Sequence, residues 1–300
     1  MIKKKRQVKL FLMLFPFLIL LALFTYVPLY GWGYAFVKYV PGKSIFNCTW
    51  VGLQYFKYIF SDYSADFARI MRNTLALSGL SIICTVIPVI TAIMLSMMKL
   101  KNYSRFIQTI IAIPYFISWV LVYSVVFFVL ASENSAFNSI MINLGIINRP
   151  VNFLANTNTA WINQTLINMW KNVGYNTIIY ISAMSSISQD LYEAADIDGA
   201  SRLQKIIHIT IPGIISTYLV LLMLAVSNML SNGFDQYYLF ANGNTINKLD
   251  VFDTYVYRMG IGNGLYSLST AFGIFKSVVS IIILSAANGI SKLLRDESMF

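Results

Sequence analysis

Three asparagines recur every four residues within one stretch of this 300-residue chain, and they are its first candidates for chemistry. Asn168, Asn172 and Asn176 would share one face of a helix, because residues four apart are neighbours on a helical surface. Trp170 lies in the same stretch. Amides donate and accept hydrogen bonds, and an indole offers an apolar face. This combination suits a ligand rich in hydroxyl groups, such as a sugar.

A second polar group follows at the end of a later apolar run. Asn228, Asn232 and Asp235 have the spacing i, i+4 and i+7, which predicts one face of a helix. Polar side chains inside a membrane usually face a bundle interior or a water-filled path. We therefore expect both polar groups to line a path for a polar solute. Hydrogen bonding between helices is the alternative explanation for each residue.

The sequence offers no recognisable catalytic set, such as paired carboxylates or a Ser/His arrangement. The glycine-rich segment 260–264 reads as a turn and not as a phosphate-binding loop. His208 is the only histidine of the chain, and Cys48 and Cys84 lie far apart. A metal site and a disulfide framework are therefore not expected. We predict that the chain is no enzyme and binds no cofactor itself, with a membrane transferase as the alternative.

The composition indicates which elements must position these side chains. The chain is 57% hydrophobic and only 11% charged, whereas soluble domains are about half apolar and about 25% charged. The formal net charge is +10, and most basic residues flank apolar runs. That distribution is typical of membrane topology signals and disfavours nucleic-acid binding.

Six stretches are long enough to cross a bilayer as helices, which takes about 20 residues each. They are roughly Leu10–Phe36, Thr74–Met98, Phe106–Leu130, Trp161–Ile187, Gly213–Ser231 and Thr270–Leu293. Pro16 and Pro28 are predicted to kink the first stretch, and Pro114 lies inside the third. The first stretch is too long for the core of a cleaved signal peptide. We expect an all-α integral membrane protein with about six transmembrane helices, forming one domain over residues 1–300.

Charge predicts the orientation of these helices. With six spans both termini lie on one side, and 12 of the Lys and Arg residues fall there, in short loops. Eight lie on the other side, spread over the longer segments 37–73, 131–160 and 232–269. Short basic loops belong to the cytoplasm, so both termini and the loop between the fourth and fifth spans are predicted to be cytoplasmic.

That cytoplasmic loop carries the most specific pattern of the chain. It reads Glu193-Ala194-Ala195, three residues, Gly199, nine residues, and Ile209-Thr210-Ile211-Pro212. Asp190 and Glu193 are predicted to form a capping box at a helix start. Gly199 permits a left-handed turn, and Pro212 suits the first turn of the next span. We expect two short helices joined by a glycine turn at the membrane surface, with an ordinary interfacial loop as the alternative.

This pattern resembles the EAA loop of bacterial ABC importer permeases, whose order is E-A-A, three residues, G, nine residues and I-x-L-P. The one departure is Ile211, which stands where the family has Leu. The resemblance implies a type I importer permease fold in the cytoplasmic membrane, with an ATPase-docking loop over residues 190–212. The coupling residues that it implies are Glu193, Ala194, Ala195, Asp198, Gly199, Ile209 and Pro212.

Shorter segments throughout the chain are similar to oligosaccharide permeases of the LplB-like branch of the carbohydrate importer family. They are Leu14–Pro16, Tyr26–Gly31, Gly233–Gln236, Asp253–Arg258 and Phe275–Ser277. The resemblance implies a heterodimer with a second permease, two ATPase subunits that bind ATP and Mg, an extracellular solute-binding lipoprotein and an oligosaccharide substrate. An ABC permease for another solute and an ion-driven secondary transporter are the alternatives.

Overall fold

The computed structural model describes residues 2–131 and 135–295, with the side chains of 11–131 and 135–289. Helices dominate this part of the chain, which confirms the all-α prediction. The described α-helices are α1 (Ile2–Leu21), α2 (Gln54–Phe60), α3 (Ser64–Ile83), α4 (Val86–Ser96), α5 (Lys101–Phe116), α6 (Trp119–Leu130), α7 (Ala136–Asn143), α8 (Ala160–Ser185), α9 (Gln189–Ile197), α10 (Arg202–Lys205), α11 (Ile211–Ser227), α12 (Asp235–Phe240), α13 (Ile246–Leu249), α14 (Phe252–Tyr257) and α15 (Tyr266–Arg295).

Tighter and wider helical turns and one small sheet complete the described elements. The 3₁₀ segments are Val27–Phe36, Ile45–Asn47 and Phe153–Ala155, and the π segments are Ala22–Tyr26, Ile206–Thr210 and Arg258–Gly262. Strands β1 (Val37–Lys38) and β2 (Thr49–Trp50) pair antiparallel, with Val37 opposite Trp50. The predicted outer segment 131–160 and the two termini include residues 132–134, Met1 and 296–300, which lie outside the described residues.

Four helical segments in the described ranges are long and apolar enough to cross a membrane. They are Phe11–Phe36, Ser64–Ser96, Arg202–Ser227 and Tyr266–Gly289. The pair α5 and α6 makes a fifth if the two helices count as one span. Helix α8 has 26 residues, or about 39 Å of length, but its asparagines and Lys171 lower its apolar character. The count of six spans and the placement of the termini stay predictions.

The third predicted span is not one helix. Helix α5 ends at Phe116 and α6 begins at Trp119, and their axes differ by 104°. Pro114 lacks a backbone N–H, and Ile117 adopts an extended conformation with ψ of 138°. Ser118 then caps α6, since its hydroxyl accepts a hydrogen bond from the Leu121 N–H at 3.4 Å.

The chain forms two compact units, and the first contains residues 1–67 and 255–277. Within it, the Ser267 hydroxyl donates to the Val37 carbonyl at 2.7 Å and accepts from the Tyr39 N–H at 3.1 Å. The Tyr255 hydroxyl donates to Asp66 at 3.2 Å. Burial, followed by the charge of Asp66, raises the pKa of Tyr255.

The second unit contains residues 68–254 and 278–300, and its segment 246–254 is fastened to α3 and α8. Arg69 forms an ion pair with the fully buried carboxylate of Asp250 at 3.5 Å. The Asn73 amide donates to the carbonyl of Asp250 at 3.0 Å, and the Trp161 indole donates to the carbonyl of Lys248 at 2.8 Å. Buried polar groups are stable when they are paired in this way. The prediction of a single domain remains untested.

Candidate functional site

The predicted amide stripe lies on α8 and lines a cavity. Asn168, Asn172 and Asn176 face the interruption between α3 and α4, where Cys84 and Thr85 lie. The cavity has a volume of about 60 Å³ and a mixed lining of amide, hydroxyl, thiol and apolar groups. It is large enough for water and for one polar group of a ligand. The three asparagines thus share one face, as their spacing predicts.

Two glutamines extend this stripe, and neither of them was among the predicted path residues. The Asn168 amide donates to Gln236 at 2.9 Å, and the Gln236 amide donates to the side-chain oxygen of Gln164 at 2.9 Å. Asn172 donates to the Asn168 carbonyl at 2.8 Å. Gln164 precedes Asn168 by four residues, so the same spacing contained the signal. The bonded amides fix the orientation of Asn168 towards the cavity.

The second polar group does not form a helical face, and that prediction is wrong. Helix α11 ends at Ser227, and the chain turns through Gly233, which has φ of +91°. Asp235 is instead the first residue of α12. Asn228 is exposed and donates to the Leu224 carbonyl of its own helix at 2.9 Å.

Asn232 occupies a more enclosed position than its two neighbours in that group. Its amide nitrogen donates to the Ser78 hydroxyl at 2.9 Å, while its oxygen is buried without a hydrogen-bond partner in the described structure. Tyr237 lies beside it, and burial raises the pKa of the Tyr237 hydroxyl. A buried acceptor without a partner costs stability, so the Asn232 oxygen is the group here with most to gain from a ligand hydroxyl.

Trp170 lies apart from the asparagines of α8. It is 43% exposed and does not belong to the lining of the cavity. Two residues along a helix correspond to a rotation of about 200°, so Trp170 and Asn168 occupy opposite faces. The structure therefore separates this candidate from the other residues of the predicted path.

The loop between α8 and α11 begins with a helix whose predicted cap is wrong. Ser188, not Asp190, is the N-cap of α9, and its hydroxyl accepts from the Asp190 N–H at 3.3 Å. The capping box lies farther on, where Ser201 and Gln204 bond reciprocally at the start of α10. Serine at a helix N-cap is as favourable as aspartate, and the extended ψ of Ser188, 133°, sets the helix start there.

The end of α9 explains why the pattern requires a glycine. Gly199 has φ of +73°, the left-handed conformation that favours glycine. Its N–H donates to the Asp196 carbonyl at 3.2 Å, and the Ala200 N–H donates to the Ala195 carbonyl at 2.9 Å. These two bonds form a Schellman motif that closes the helix. The predicted glycine turn is confirmed.

After the turn, the chain enters one continuous helical segment. Helix α10 passes through the π segment Ile206–Thr210 into α11, so the predicted second short helix is not separate from the fifth span. Pro212 lies in the first turn of α11, as predicted. Ile209 is partly buried, and Thr210 accepts or donates a hydrogen bond with the Tyr192 hydroxyl at 3.0 Å. This bond ties α9 back to the base of the loop.

Gly213 closes the base of the loop and was missed in the sequence. A Cβ at this position would lie 2.5 Å from the side chain of Ile187, a residue that connects α8 to α9. Nearby, Tyr180, Met184 and Ile214 form a buried cluster with Ala92. The loop therefore rests on a packed junction of α4, α8 and α11.

The tip of the loop is exposed and partly apolar. Ile197 is 89% exposed, and Leu191 and Leu203 are more than half exposed. Large exposed apolar side chains make this loop a candidate for an interaction site. Of the predicted coupling residues, Glu193, Ala194, Asp198, Gly199 and Pro212 are exposed, while Ala195 and Ile209 are partly buried.

The family model described as binding-protein-dependent transport system inner membrane component matches residues 85–296. Protein LplB of Bacillus subtilis (strain 168) is 39% identical over 99% of this chain and 92% of its own length. The polygalacturonan/rhamnogalacturonan transport system permease protein YteP of the same strain is 37% identical over 100% of this chain and 92% of its own length.

A solved structure shares the fold along nearly the whole chain. It is described as a bacterial alginate ABC transporter in complex with an alginate pentasaccharide-bound periplasmic protein. The match has a TM-score of 0.88 and 34% identity, and it covers 98% of both chains. This agreement confirms the predicted type I importer permease fold.

Proposed function

The chain belongs to the family of binding-protein-dependent transport system inner membrane components, and from this premise we propose that it is a permease subunit of an ATP-driven oligosaccharide importer. Family membership makes it a transport permease of the cytoplasmic membrane. We further propose that ATP and Mg bind to a separate ATPase chain. The proposed partners are a second permease, two ATPase subunits and an extracellular solute-binding lipoprotein.

The exposed tip of the loop at the end of α8 is the observation that carries this proposal. Ile197 is the most exposed apolar residue of the loop, and a large apolar anchor is the usual centre of a protein interface. Ala194 is also exposed, and its small side chain allows a partner surface to approach closely. We assign this tip to the ATPase, with Glu193 and Asp198 as its acidic contacts and Gly199 as the turn that presents it.

Movement of the ATPase would then reach the membrane through rigid elements. The loop is closed at its base by Ile187 on Gly213. It continues as one helix into α11, and residues 186–188 join it to α8. Ile209 and Pro212 lie where the loop enters α11. A rigid-body shift of the loop therefore moves both helices, which is how packed proteins transmit switching between states.

The polar groups of α8 and the 228–235 segment suit an oligosaccharide. Asn168, Asn172 and Asn176 line one cavity, and Asn232 holds an unpaired oxygen. Such groups would exchange hydrogen bonds with sugar hydroxyls as the substrate moves. This substrate class is supported by the relative named as a polygalacturonan/rhamnogalacturonan transport system permease and by the transporter solved with an alginate pentasaccharide-bound periplasmic protein. We assign Asn228 and Asp235 to the outer parts of the path and leave Trp170, which lies on the opposite face of α8, outside it.

The Gly199→Val variant tests the coupling role directly. Valine at a positive φ costs about 1–3 kcal/mol, and it would distort the tip that we assign to the ATPase. The tagged chain should copurify from its host membranes with a second permease and an ABC ATPase, and the variant should lose the ATPase while retaining the permease. Gly42→Val is the matched control, because Gly42 has φ of +86° in a turn outside the loop. Equal ATPase recovery by both variants would refute the assignment.

A further inference from the structure

The buried ammonium group of Lys171 fastens α8 to the break between α5 and α6. Lys171 is 6% exposed. Its Nζ donates to the carbonyl of Pro114 at 3.0 Å, of Tyr115 at 2.9 Å and of Ile117 at 2.6 Å. The ammonium has three donors, and each of them has a backbone acceptor at the break.

The carbonyls that Lys171 binds lie at the end of α5 and in the break, and the Pro114 carbonyl among them also accepts the Ile117 N–H at 3.3 Å. The last carbonyls of a helix have no partner within the helix, and they carry the negative end of its dipole. Here the extended Ile117 prevents any helical continuation. The ammonium also lies 5.3 Å from the ring centre of Trp119, at the start of α6. One side chain therefore contacts the end of α5, the break and the start of α6.

Two neighbours of Lys171 strengthen this contact. A Cβ on Gly174 would lie 2.0 Å from the Ile111 carbonyl oxygen, so the backbones of α8 and α5 touch. The Tyr175 ring stacks on Tyr115 at 4.1 Å between centroids and 7° between planes. We call Lys171, Gly174 and Tyr175 the α5 clamp. They follow one another along a single side of α8.

Helix α8 connects this clamp to the loop assigned to the ATPase. It runs without interruption from Ala160 to Ser185, and α9 starts at Gln189. Lys171 therefore lies about 20 Å from the loop, along one helix with a rise of 1.5 Å per residue. A packed helix of this length moves as one body, so a displacement at the loop reaches the carbonyls at the break.

We propose that Lys171 is a positioning residue for transport, which makes the break between α5 and α6 follow α8 when the ATPase moves the coupling loop. This inference rests on the proposed function. Its chemistry is specific: a methionine side chain fills similar space but removes the ammonium donor from the Tyr115 and Ile117 carbonyls, while Pro114 keeps the Ile117 N–H. An arginine retains the positive charge and the donors.

The test compares Lys171→Met and Lys171→Arg in the assembled transporter, reconstituted with its solute-binding protein. Lys101→Met is the matched control, because Lys101 is an exposed lysine at the other end of α5. We measure sugar uptake and ATP hydrolysis on the same vesicles. Lys171→Met should lower the uptake per ATP hydrolysed by about tenfold, the size expected for buried unpaired acceptors. Lys171→Arg should recover most of the ratio, and Lys101→Met should match the wild type.

Two results would overturn the inference. One is an unchanged uptake per ATP in Lys171→Met. The other is a loss of uptake and hydrolysis in equal proportion that Lys171→Arg does not repair, since that pattern is purely structural. If the wild type itself shows no ATP-dependent uptake, the proposed function fails instead.

A second measurement keeps Lys171 intact, in case Lys171→Met does not assemble. A fluorophore on Phe116→Cys, in a Cys48→Ser and Cys84→Ser background, reports on the break from an exposed position. Binding of a non-hydrolysable ATP analogue to the complex should shift its emission. An unchanged emission in a complex that binds the analogue would contradict the inference.

Discussion

Helix α8 is straight although it carries polar side chains, whereas the pair α5–α6 is sharply bent. The first carries a lysine and several amides and yet runs unbroken for 26 residues, whereas α5 and α6, which together are apolar enough for one span, bend by 104°. The lysine of α8 supplies the donors that the broken pair lacks. The comparison teaches that polarity in one span can complete the backbone of its neighbour. Hydropathy locates a span in the sequence, but it does not show which side chains of a neighbouring helix bind its backbone.

The largest expected effect comes from pushing these two regions apart. Gly174→Ala would place a Cβ against the Ile111 backbone, which cannot rotate away as a side chain can. Overpacking of this kind costs about 1–3 kcal/mol or more. We expect a marked loss of monodisperse protein on detergent size exclusion and a lower melting temperature.

Gly79→Ala is the control for that variant, because a Cβ at this helical glycine meets nothing within 4 Å. It should leave the yield and the melting temperature unchanged. Equal behaviour of the two alanine variants would show that the close approach of α5 and α8 does not constrain the fold.

The second effect concerns the two opposite faces of α8. Asn168→Ala removes the donor to Gln236 and one group of the cavity, and we expect the kcat/KM of uptake to fall by about tenfold. Trp170→Ala changes the exposed face, and a smaller loss of about twofold is expected from a surface substitution. Uptake of radiolabelled oligosaccharide checks both variants, and the reverse order of effects would move the substrate path to the other face.

The third effect uses a native thiol as a reporter of the cavity. Cys84 lines the cavity beside the asparagines, so in a Cys48→Ser background a small methanethiosulfonate reagent should modify it. Transported oligosaccharide, delivered by the binding protein, should slow the modification. If the sugar is taken up but does not change the rate of Cys84 modification, this cavity is not part of the path.

The smallest effect is expected at the ion pair between Asp196 and Lys205 in the loop. The Asp196 side chain is 66% exposed, and exposed ion pairs contribute at most about 1 kcal/mol. Asp196→Asn should leave both the melting temperature and the ATPase recovery close to the wild type. A large loss of ATPase recovery would make this pair part of the docking surface.

Local rules predicted what depends on spacing and backbone, and they missed what depends on partners. The four-residue period of Asn168 to Asn176 located one face, and the glycine pattern located the left-handed Gly199. The predicted N-cap, Asp190, was wrong because Ser188 lies two residues earlier and serine caps a helix as well as aspartate does. The prediction that residues 228–235 share one helical face failed because Gly233 turns the chain between two helices. The role of Lys171 was invisible in the sequence, because its three acceptors lie more than 50 positions away along the chain.

The most direct test of the central claim is uptake into proteoliposomes that contain the purified complex of this chain with its copurified permease and ATPase. Oligosaccharide bound to the solute-binding protein is added outside, with ATP inside or with an imposed proton or sodium gradient. We predict uptake that requires internal ATP and the binding protein and is abolished by Gly199→Val. Uptake driven by the ion gradient without ATP would contradict the account and identify a secondary transporter.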